Sequence, residues 1–304
     1  MNKVGVFSLV YSGTLAQKAE QVARHGLDTV IINASEILDL AGSLDNTAHA
    51  RKEAGVADDS LQAIKGTIRL DQINDQLSAA VTEPFRQRGM QLACLGGYVN
   101  PMHPDPVQRR QQRELFYTLI RHARAFGTRY VATETGSVNP QSQWEDHPGN
   151  HTPEAWKEMV EFVSEACAVA EAHDTVVLIE GYVENVLSSL EGAVRLRREV
   201  SSPALGFVLD PNNYAHAADL ADMEGYLHRF FEAVGPWSHV AHGKDVVYVD
   251  GRIRTPKAGS GYLDYPLFGR LLRQYRPDIP VIVEHLLPQD VPEVVDFVRR
   301  HIEP

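Results

Sequence analysis

Four apolar segments in the second half of the chain each end in a side chain that can bind a metal ion or move a proton. The length and β-branched content of each segment predict a buried parallel strand. Side chains at the ends of neighbouring parallel strands meet at one edge of the sheet, so we expect the four to converge. The segments read VVLIE (176–180), LGFVLD (205–210), HVAH (239–242) and PVIVE (280–284), with Glu180, Asp210, His242 and Glu284 as their last residues.

The spacing and chemistry of these four residues predict a divalent metal site. They lie 30, 32 and 42 residues apart, which is the spacing of successive strand–helix units. Three carboxylates meeting without a cation would form a costly cluster of like charge. Oxygen and imidazole ligands without a thiolate favour Mn²⁺, Mg²⁺ or Co²⁺, and Zn²⁺ stays an alternative. Mn²⁺ is the predicted metal.

Short apolar runs alternate with helical patterns along the whole chain. Eight strand–helix units are the number in a (β/α)₈ TIM barrel, whose active site lies at the carboxyl ends of the strands. We therefore predict a single domain over 1–304, with a lid or insertion at 34–70, a segment too long for an ordinary loop. Predicted strands are 3–9, 28–33, 90–95, 129–133, 176–180, 205–210, 238–242 and 280–284; predicted helices are 14–25, 72–88, 107–126, 153–173, 188–199, 219–233, 264–275 and 290–302.

Composition narrows the classes of partner. The formal net charge of -11 and the absence of a Lys/Arg run argue against DNA or RNA as a ligand. No signal-peptide pattern opens the chain, and no apolar stretch is long enough to span a bilayer, so no membrane partner is expected. Cys94 and Cys167 fall in a predicted strand and helix, where they are expected to be buried thiols. A cytoplasmic location fits these features.

Several motifs, in this order and spacing, resemble the sugar phosphate isomerase/epimerase family, which has a xylose isomerase-like barrel of the AP endonuclease 2 type. The resemblance covers nearly the whole chain and is weakest at 34–70. Its motifs are Gly96-Gly97-Tyr98, Thr135-Gly136, Ile179-Glu180, Asp210-Pro211-Asn212-Asn213, His242-Gly243-Lys244-Asp245, Gly259-Ser260-Gly261 followed by Asp264-Tyr265, and Val283-Glu284.

The resemblance implies that Glu180, Asp210, His242 and Glu284 hold the metal. It also implies that Glu180 and Glu284 are the catalytic acid and base of a metal-dependent isomerase or epimerase. Such an enzyme abstracts a proton alpha to a metal-bound carbonyl of a small sugar or keto-polyol, through an enediolate. The alternative for the two glutamates is that they only bind the metal.

Other functions use the same fold. A metal-dependent lyase or dehydratase, similar to inosose dehydratases or keto-glycoside-cleaving enzymes, would need only a leaving group beside the abstracted proton. A DNA-repair endonuclease would need further metal ligands and a basic groove, which the acidic composition disfavours. A sugar-binding barrel without activity is disfavoured because all four ligands are present.

Tyr98, Asn213, Lys244 and Arg254 are the predicted substrate-binding residues. Asn213 departs from the family, since many relatives have a substrate-contacting His there and an amide cannot carry a proton at neutral pH. No concentrated basic pocket accompanies the lysines and arginines after the seventh strand, which favours an unphosphorylated sugar. Strand alternation predicts that His285 points away from the site. Barrels of this family often pair, but the sequence contains no signal for a homo-oligomer interface.

Overall fold

The structure is a computed structural model that describes residues 3–44 and 70–303. Within these residues, eight parallel strands form a closed barrel. The barrel strands are β1 (Val4–Phe7), β2 (Thr29–Asn33), β3 (Gln91–Gly96), β4 (Tyr130–Glu134), β5 (Val176–Glu180), β6 (Leu205–Leu209), β7 (Ser238–Gly243) and β10 (Val281–Val283); β8 (Val247–Val249) and β9 (Arg252–Arg254) form a separate antiparallel hairpin. Around the barrel the order is β1-β10-β7-β6-β5-β4-β3-β2.

Helices follow the strands and cover the outside of the barrel, so the predicted (β/α)₈ architecture is confirmed. Most long helices begin at a Ser, Thr, Asn or Asp whose side chain accepts a hydrogen bond from the first turn, as Thr152, Ser189 and Asp264 do. The helices are α1 (Leu15–Arg24), α2 (Ala34–Leu44), α3 (Asp75–Arg86), α4 (Pro106–His122), α5 (Pro153–Ala172), α6 (Leu190–Glu199), α7 (Pro211–Tyr214), α8 (Met223–Ala233), α9 (Tyr265–Tyr275) and α10 (Val291–Ile302). In the described ranges no helix combines the length and apolar character needed to cross a membrane.

Alternate residues of the strands supply two separate cores. Val177 and Ile179 of β5 pack outward against the helices, whereas Leu178 packs inside the barrel. The interior layer also contains Ala132, Val208, Val240 and Ile282 from the neighbouring strands. Successive side chains of a strand point to opposite faces. The residue two positions after each interior residue is therefore directed to the interior as well.

The structure departs from the predicted elements in three places. Residues 34–44, the start of the predicted insertion, form α2, and the segment 45–69 lies outside the described residues. The hairpin β8–β9 and the one-turn helix α7 were not predicted.

Cys94 and Cys167 are buried and form no disulfide, as expected.

Candidate metal centre

Strand alternation directs the four predicted ligands to the barrel axis. Glu180, Asp210, His242 and Glu284 each lie two residues after an interior side chain, at the carboxyl ends of β5, β6, β7 and β10. These strands are neighbours in the barrel, in the order β10-β7-β6-β5. The barrel therefore brings together side chains that are more than a hundred residues apart along the chain.

The four side chains meet around one nitrogen atom, Nδ1 of His242. Oε1 of Glu180 lies 3.2 Å from this atom, Oδ2 of Asp210 lies 3.3 Å away and Oε1 of Glu284 lies 3.2 Å away. Ligand atoms of Glu180, Asp210 and His242 also lie within 4.8 Å of one another. Glu284 lies outside that group of three, and its Oε1 atom approaches the group at His242 Nδ1.

These distances fit a divalent cation. Ligand atoms about 2.1 Å from one ion and at right angles to each other lie about 3 Å apart. The edge of Phe7 packs against the His242 ring, with the ring centroids 5.5 Å apart. A single Nδ1–H group can satisfy only one of three carboxylate oxygens, so the cluster has more acceptors than the imidazole can serve. The residues present therefore suit a bound cation.

A buried lysine offsets part of the negative charge. Lys244 Nζ lies 2.8 Å from Asp210 Oδ2 and 2.8 Å from Glu284 Oε1. Burial alone would lower the pKa of Lys244, but these two carboxylates raise it well above its usual range. Burial would likewise lower the pKa of His242, and Glu284 and Glu180 raise it well above the ordinary value. The carboxylates of the cluster thus stabilise the protonated forms of Lys244 and His242.

Two neutral donors hold Glu180 in place. Tyr98 donates from Oη to Glu180 Oε2 at 2.8 Å, and Asn213 donates from Nδ2 to Glu180 Oε1 at 2.6 Å. Burial and the nearby Glu180 charge raise the pKa of Tyr98 well above its usual range, so the phenol keeps the proton that it donates. Burial also raises the pKa of Glu180. Asn213 lies in α7, directly after Asp210, and therefore contacts one of the four predicted metal ligands, Glu180.

A cavity of about 700 Å³ opens above the cluster. This volume is in the range of small-molecule binding sites. Side chains from the ends of most barrel strands form its wall. The lining comprises Phe7, Leu9, Val10, Asn33, Tyr98, Glu134, Trp144, Glu180, Tyr182, Asn213, Lys244, Thr255, Glu284, His285 and Leu286.

The structure brings seven of the eight predicted site residues together, and Arg254 lies apart from them. Arg254 is an exposed residue of β9 and does not line the cavity. Lys257, which follows the hairpin, binds Asp290 at 2.8 Å instead. A contact between Arg254 and a substrate stays a prediction.

The expectation that His285 points away from the site is wrong. β10 ends at Val283, so strand alternation no longer applies two residues later. The backbone of His285 adopts φ 56°, a left-handed conformation that turns its side chain toward the cavity wall. Its Nδ1 lies 2.9 Å from the Thr255 hydroxyl, which fixes the ring at the rim.

Glu134 is a cavity residue that the sequence reasoning missed. It is the last residue of β4 and pairs in register with Glu180 on β5. The signal was present, since Tyr130-Val131-Ala132-Thr133-Glu134 is another β-branched run that ends in a carboxylate. Burial, followed by the charge of Glu180, raises the pKa of Glu134 to about 8.

Comparisons with known proteins agree with this architecture. A family model described as "Xylose isomerase-like TIM barrel" matches residues 54–301. No curated protein matches the chain.

Several solved structures have the same fold at low sequence identity. A D-psicose 3-epimerase solved in the presence of D-fructose is 15% identical, with a TM-score of 0.67 and coverage of 99% of this chain and 100% of its own. The IOLI protein with a bound zinc atom is 16% identical, with a TM-score of 0.69 and coverage of 99% and 100%. The probable 3-DHS dehydratase AsbF of Bacillus anthracis is 13% identical, with a TM-score of 0.66 and coverage of 98% and 98%.

The family match covers most of the chain, and the closed barrel carries the fold that the family name describes. The chain therefore belongs to the xylose isomerase-like TIM barrel family.

Proposed function

We propose that the protein is a divalent-metal-dependent isomerase or epimerase of a small sugar or keto-polyol. One observation carries this proposal: Glu180 and Glu284 both face the cavity, and both approach the His242 nitrogen from strands on either side of β6 and β7. Two carboxylates that flank one bound molecule can take a proton from one face and return a proton to the other.

Glu180, Asp210, His242 and Glu284 are the residues that would hold the cation, and Mn²⁺ is our proposed metal. A divalent cation bound there would polarise the substrate carbonyl and stabilise the negative charge that develops when the adjacent carbon loses its proton.

The protein supplies the remaining requirements. Tyr98 and Asn213 orient Glu180, and Lys244 orients Glu284, so that each carboxylate has a fixed direction before the substrate binds. The apolar wall of Phe7, Leu9 and Val10 limits the access of water to the reacting carbon.

We further propose that the sugar is unphosphorylated. A phosphate group needs cationic or backbone donors that are not already engaged. Lys244 is paired with Asp210 and Glu284, and Lys257 is paired with Asp290. The structural neighbour crystallised in the presence of D-fructose supports a sugar of this class.

Elimination is the second candidate reaction. The same proton abstraction leads to loss of water or of an alcohol when a leaving group lies on the next carbon. Similarity to a probable dehydratase supports it only at the level of the fold.

Solvent exchange in ²H₂O distinguishes these reactions. The protein loaded with Mn²⁺ would be incubated with D-fructose, D-tagatose, D-psicose, an inosose and a 3-keto-glucoside. An isomer with one new carbon–deuterium bond supports epimerisation or isomerisation, and loss of water or alcohol supports elimination. If no compound exchanges or reacts with the loaded protein, the proposed function is wrong.

A pair of variants tests the roles of the two glutamates. Glu180→Gln and Glu284→Gln are each expected to abolish exchange, while at least one of them retains bound metal. Unchanged exchange in either variant would contradict the assignment of that glutamate.

A further inference from the structure

Glu134 is a third carboxyl group in the cavity wall, beyond the two that the proposed reaction uses. Ala132 packs inside the barrel, so Glu134, two residues later, is directed to the interior as Glu180 is. In the β4–β5 register Glu134 lies beside Glu180, and both line the cavity. Glu134 is not in the group of potential metal ligands formed by Glu180, Asp210 and His242.

The Glu134 carboxyl is buried and only partly satisfied. The residue is 8% exposed, and its Oε2 atom has no hydrogen-bond partner among the described residues. The Trp144 side chain lines the same cavity. A buried carboxyl oxygen without a hydrogen-bond partner loses its hydration and gains nothing in exchange. A ligand in the cavity would remove this cost.

The surroundings of Glu134 identify the chemistry of that ligand. Trp144, Tyr182 and Glu180 line the cavity with it, and Lys244 is held by Asp210 and Glu284. Among the described residues the Glu134 carboxyl forms no salt bridge, and the cavity that it lines has aromatic walls. The Oε2 atom, which has no partner among the described residues, can accept a hydrogen bond from a donor in the cavity. A neutral hydroxyl group is the natural partner of such a group.

We propose that Glu134 is a substrate-binding residue that hydrogen-bonds a hydroxyl group of the sugar on the Glu180 side of the cavity. This inference rests on the proposed function. It assigns Glu134 to recognition of the sugar, separately from the residues that hold the metal and from the two carboxylates that transfer the proton.

The test uses Glu134→Ala and Glu134→Gln, with Glu145→Gln as a matched control. Glu145 is an exposed carboxylate next to Trp144 and does not line the cavity. Mn²⁺ binding and sugar binding would be measured separately by calorimetry, with D-fructose, D-tagatose and D-psicose as probes. Because Trp144 lines the cavity, the quenching of tryptophan fluorescence provides a second reading of sugar binding.

We expect Mn²⁺ affinity within threefold of wild type in all three variants. We expect the Kd and KM for the sugar to rise at least tenfold in Glu134→Ala, with kcat changed by less than threefold. The control should match the wild type. The unfolding midpoint of Glu134→Ala should not fall, because no protein hydrogen bond of Oε2 is lost; a merely structural role would lower it and leave KM unchanged.

Deoxy analogues of D-fructose identify the hydroxyl. The wild type should lose affinity for one analogue, and Glu134→Ala should bind that analogue and the parent sugar equally. Sugar binding by Glu134→Ala within twofold of wild type would overturn this inference alone. Loss of Mn²⁺ binding in Glu134→Ala would overturn it by making Glu134 a metal ligand. If the wild type binds Mn²⁺ but none of the three sugars, the proposed function fails and this inference fails with it.

Discussion

Glu180 is held by hydrogen bonds on both of its carboxyl oxygens. One oxygen accepts from Tyr98, and the other accepts from Asn213 and faces His242. A carboxylate held by donors on both oxygens cannot rotate freely, so its position relative to a substrate is set in advance. Asn213 has a defined part here, as a donor to Glu180, although an amide cannot carry a proton as histidine does.

Replacing Tyr98 by Phe tests this orientation at the scale of a single hydrogen bond. The variant keeps the ring and loses a bond to a buried carboxylate, which typically contributes about 1.5–3 kcal/mol. We expect kcat for deuterium exchange to fall by about tenfold or more, with Mn²⁺ still bound. Tyr117→Phe is the matched control, because its hydroxyl donates at 2.7 Å to Glu165 on the surface. Equal rates in the two variants would contradict the role of Tyr98.

The lowered pKa of His239 predicts one contribution to the pH dependence of the free energy of unfolding. It stacks on Tyr130 with a centroid distance of 4.9 Å, and burial, aided by Arg276 and Arg129 against Asp278, lowers its pKa to about 4. Below the ordinary value of 6.5 the unfolded chain therefore binds a proton that the folded protein does not. Stability from this group is present above about pH 6.5 and is lost as the pH falls toward 4.

His239→Phe removes this titration and keeps an aromatic ring against Tyr130. Between pH 7 and pH 4.5 we expect the wild type to lose about 2 kcal/mol more unfolding free energy than the variant. Urea unfolding at both pH values measures the difference. A difference between the two proteins that does not change with pH would show that His239 has an ordinary pKa.

At the scale of the elements, period-two alternation explains both the successes and the failures of the sequence predictions. It directs Glu180, Asp210, His242 and Glu284 inward because each follows an interior strand residue by two positions. The same rule would have predicted Glu134, had β4 been extended by one residue. It failed at His285, where the strand has ended and a positive φ turns the chain.

Contacts between elements are harder to predict from the sequence. α2 was missed because its sequence, Ala34–Leu44, follows β2 without a polar turn. The hydrogen bonds of Tyr98 and Asn213 to Glu180 join the loop after β3, the helix α7 and the strand β5. Their geometry depends on the closed barrel, and residue spacing does not contain it.

Packing of α9 on α10 gives a prediction for one glycine. A Cβ atom on Gly269 would overlap the backbone oxygen of His301, which also accepts a hydrogen bond from Arg273. Because backbone cannot move aside as a side chain can, Gly269→Ala is expected to lower the unfolding free energy by about 2 kcal/mol or more.

Gly192→Ala in α6 is the control for this substitution. Its Cβ would meet only side-chain atoms, the nearest being Leu187 Cδ1 at 3.0 Å. Its midpoint in urea should stay close to that of the wild type. Equal midpoints for the two alanine variants would contradict the close approach of α9 to α10.

At the scale of the whole molecule, barrel closure is what creates the site. Parallel strands with buried faces and eight alternating units were sufficient to predict the (β/α)₈ fold, because that pattern has few other stable arrangements. Closure places carboxylates from β5, β6 and β10 around one imidazole nitrogen. Their mutual repulsion destabilises the cluster, and a cation that binds only the folded protein would stabilise the fold.

The most direct test is the amount of Mn²⁺ that the protein binds at equilibrium. After removal of metal with a chelator, dialysis against Mn²⁺ and elemental analysis would be carried out on the wild type, Asp210→Asn and Asp174→Asn. Asp174 is an exposed carboxylate with φ 50°, a conformation that Asn tolerates, and it lies before β5 at the opposite end of the barrel. Circular dichroism would establish that each variant is folded.

We predict one Mn²⁺ per chain in the wild type and in Asp174→Asn, and a Kd at least tenfold higher in a folded Asp210→Asn. Metal bound by Asp210→Asn as tightly as by the wild type, or a wild type that binds none, would contradict the proposed metal site at Glu180, Asp210, His242 and Glu284.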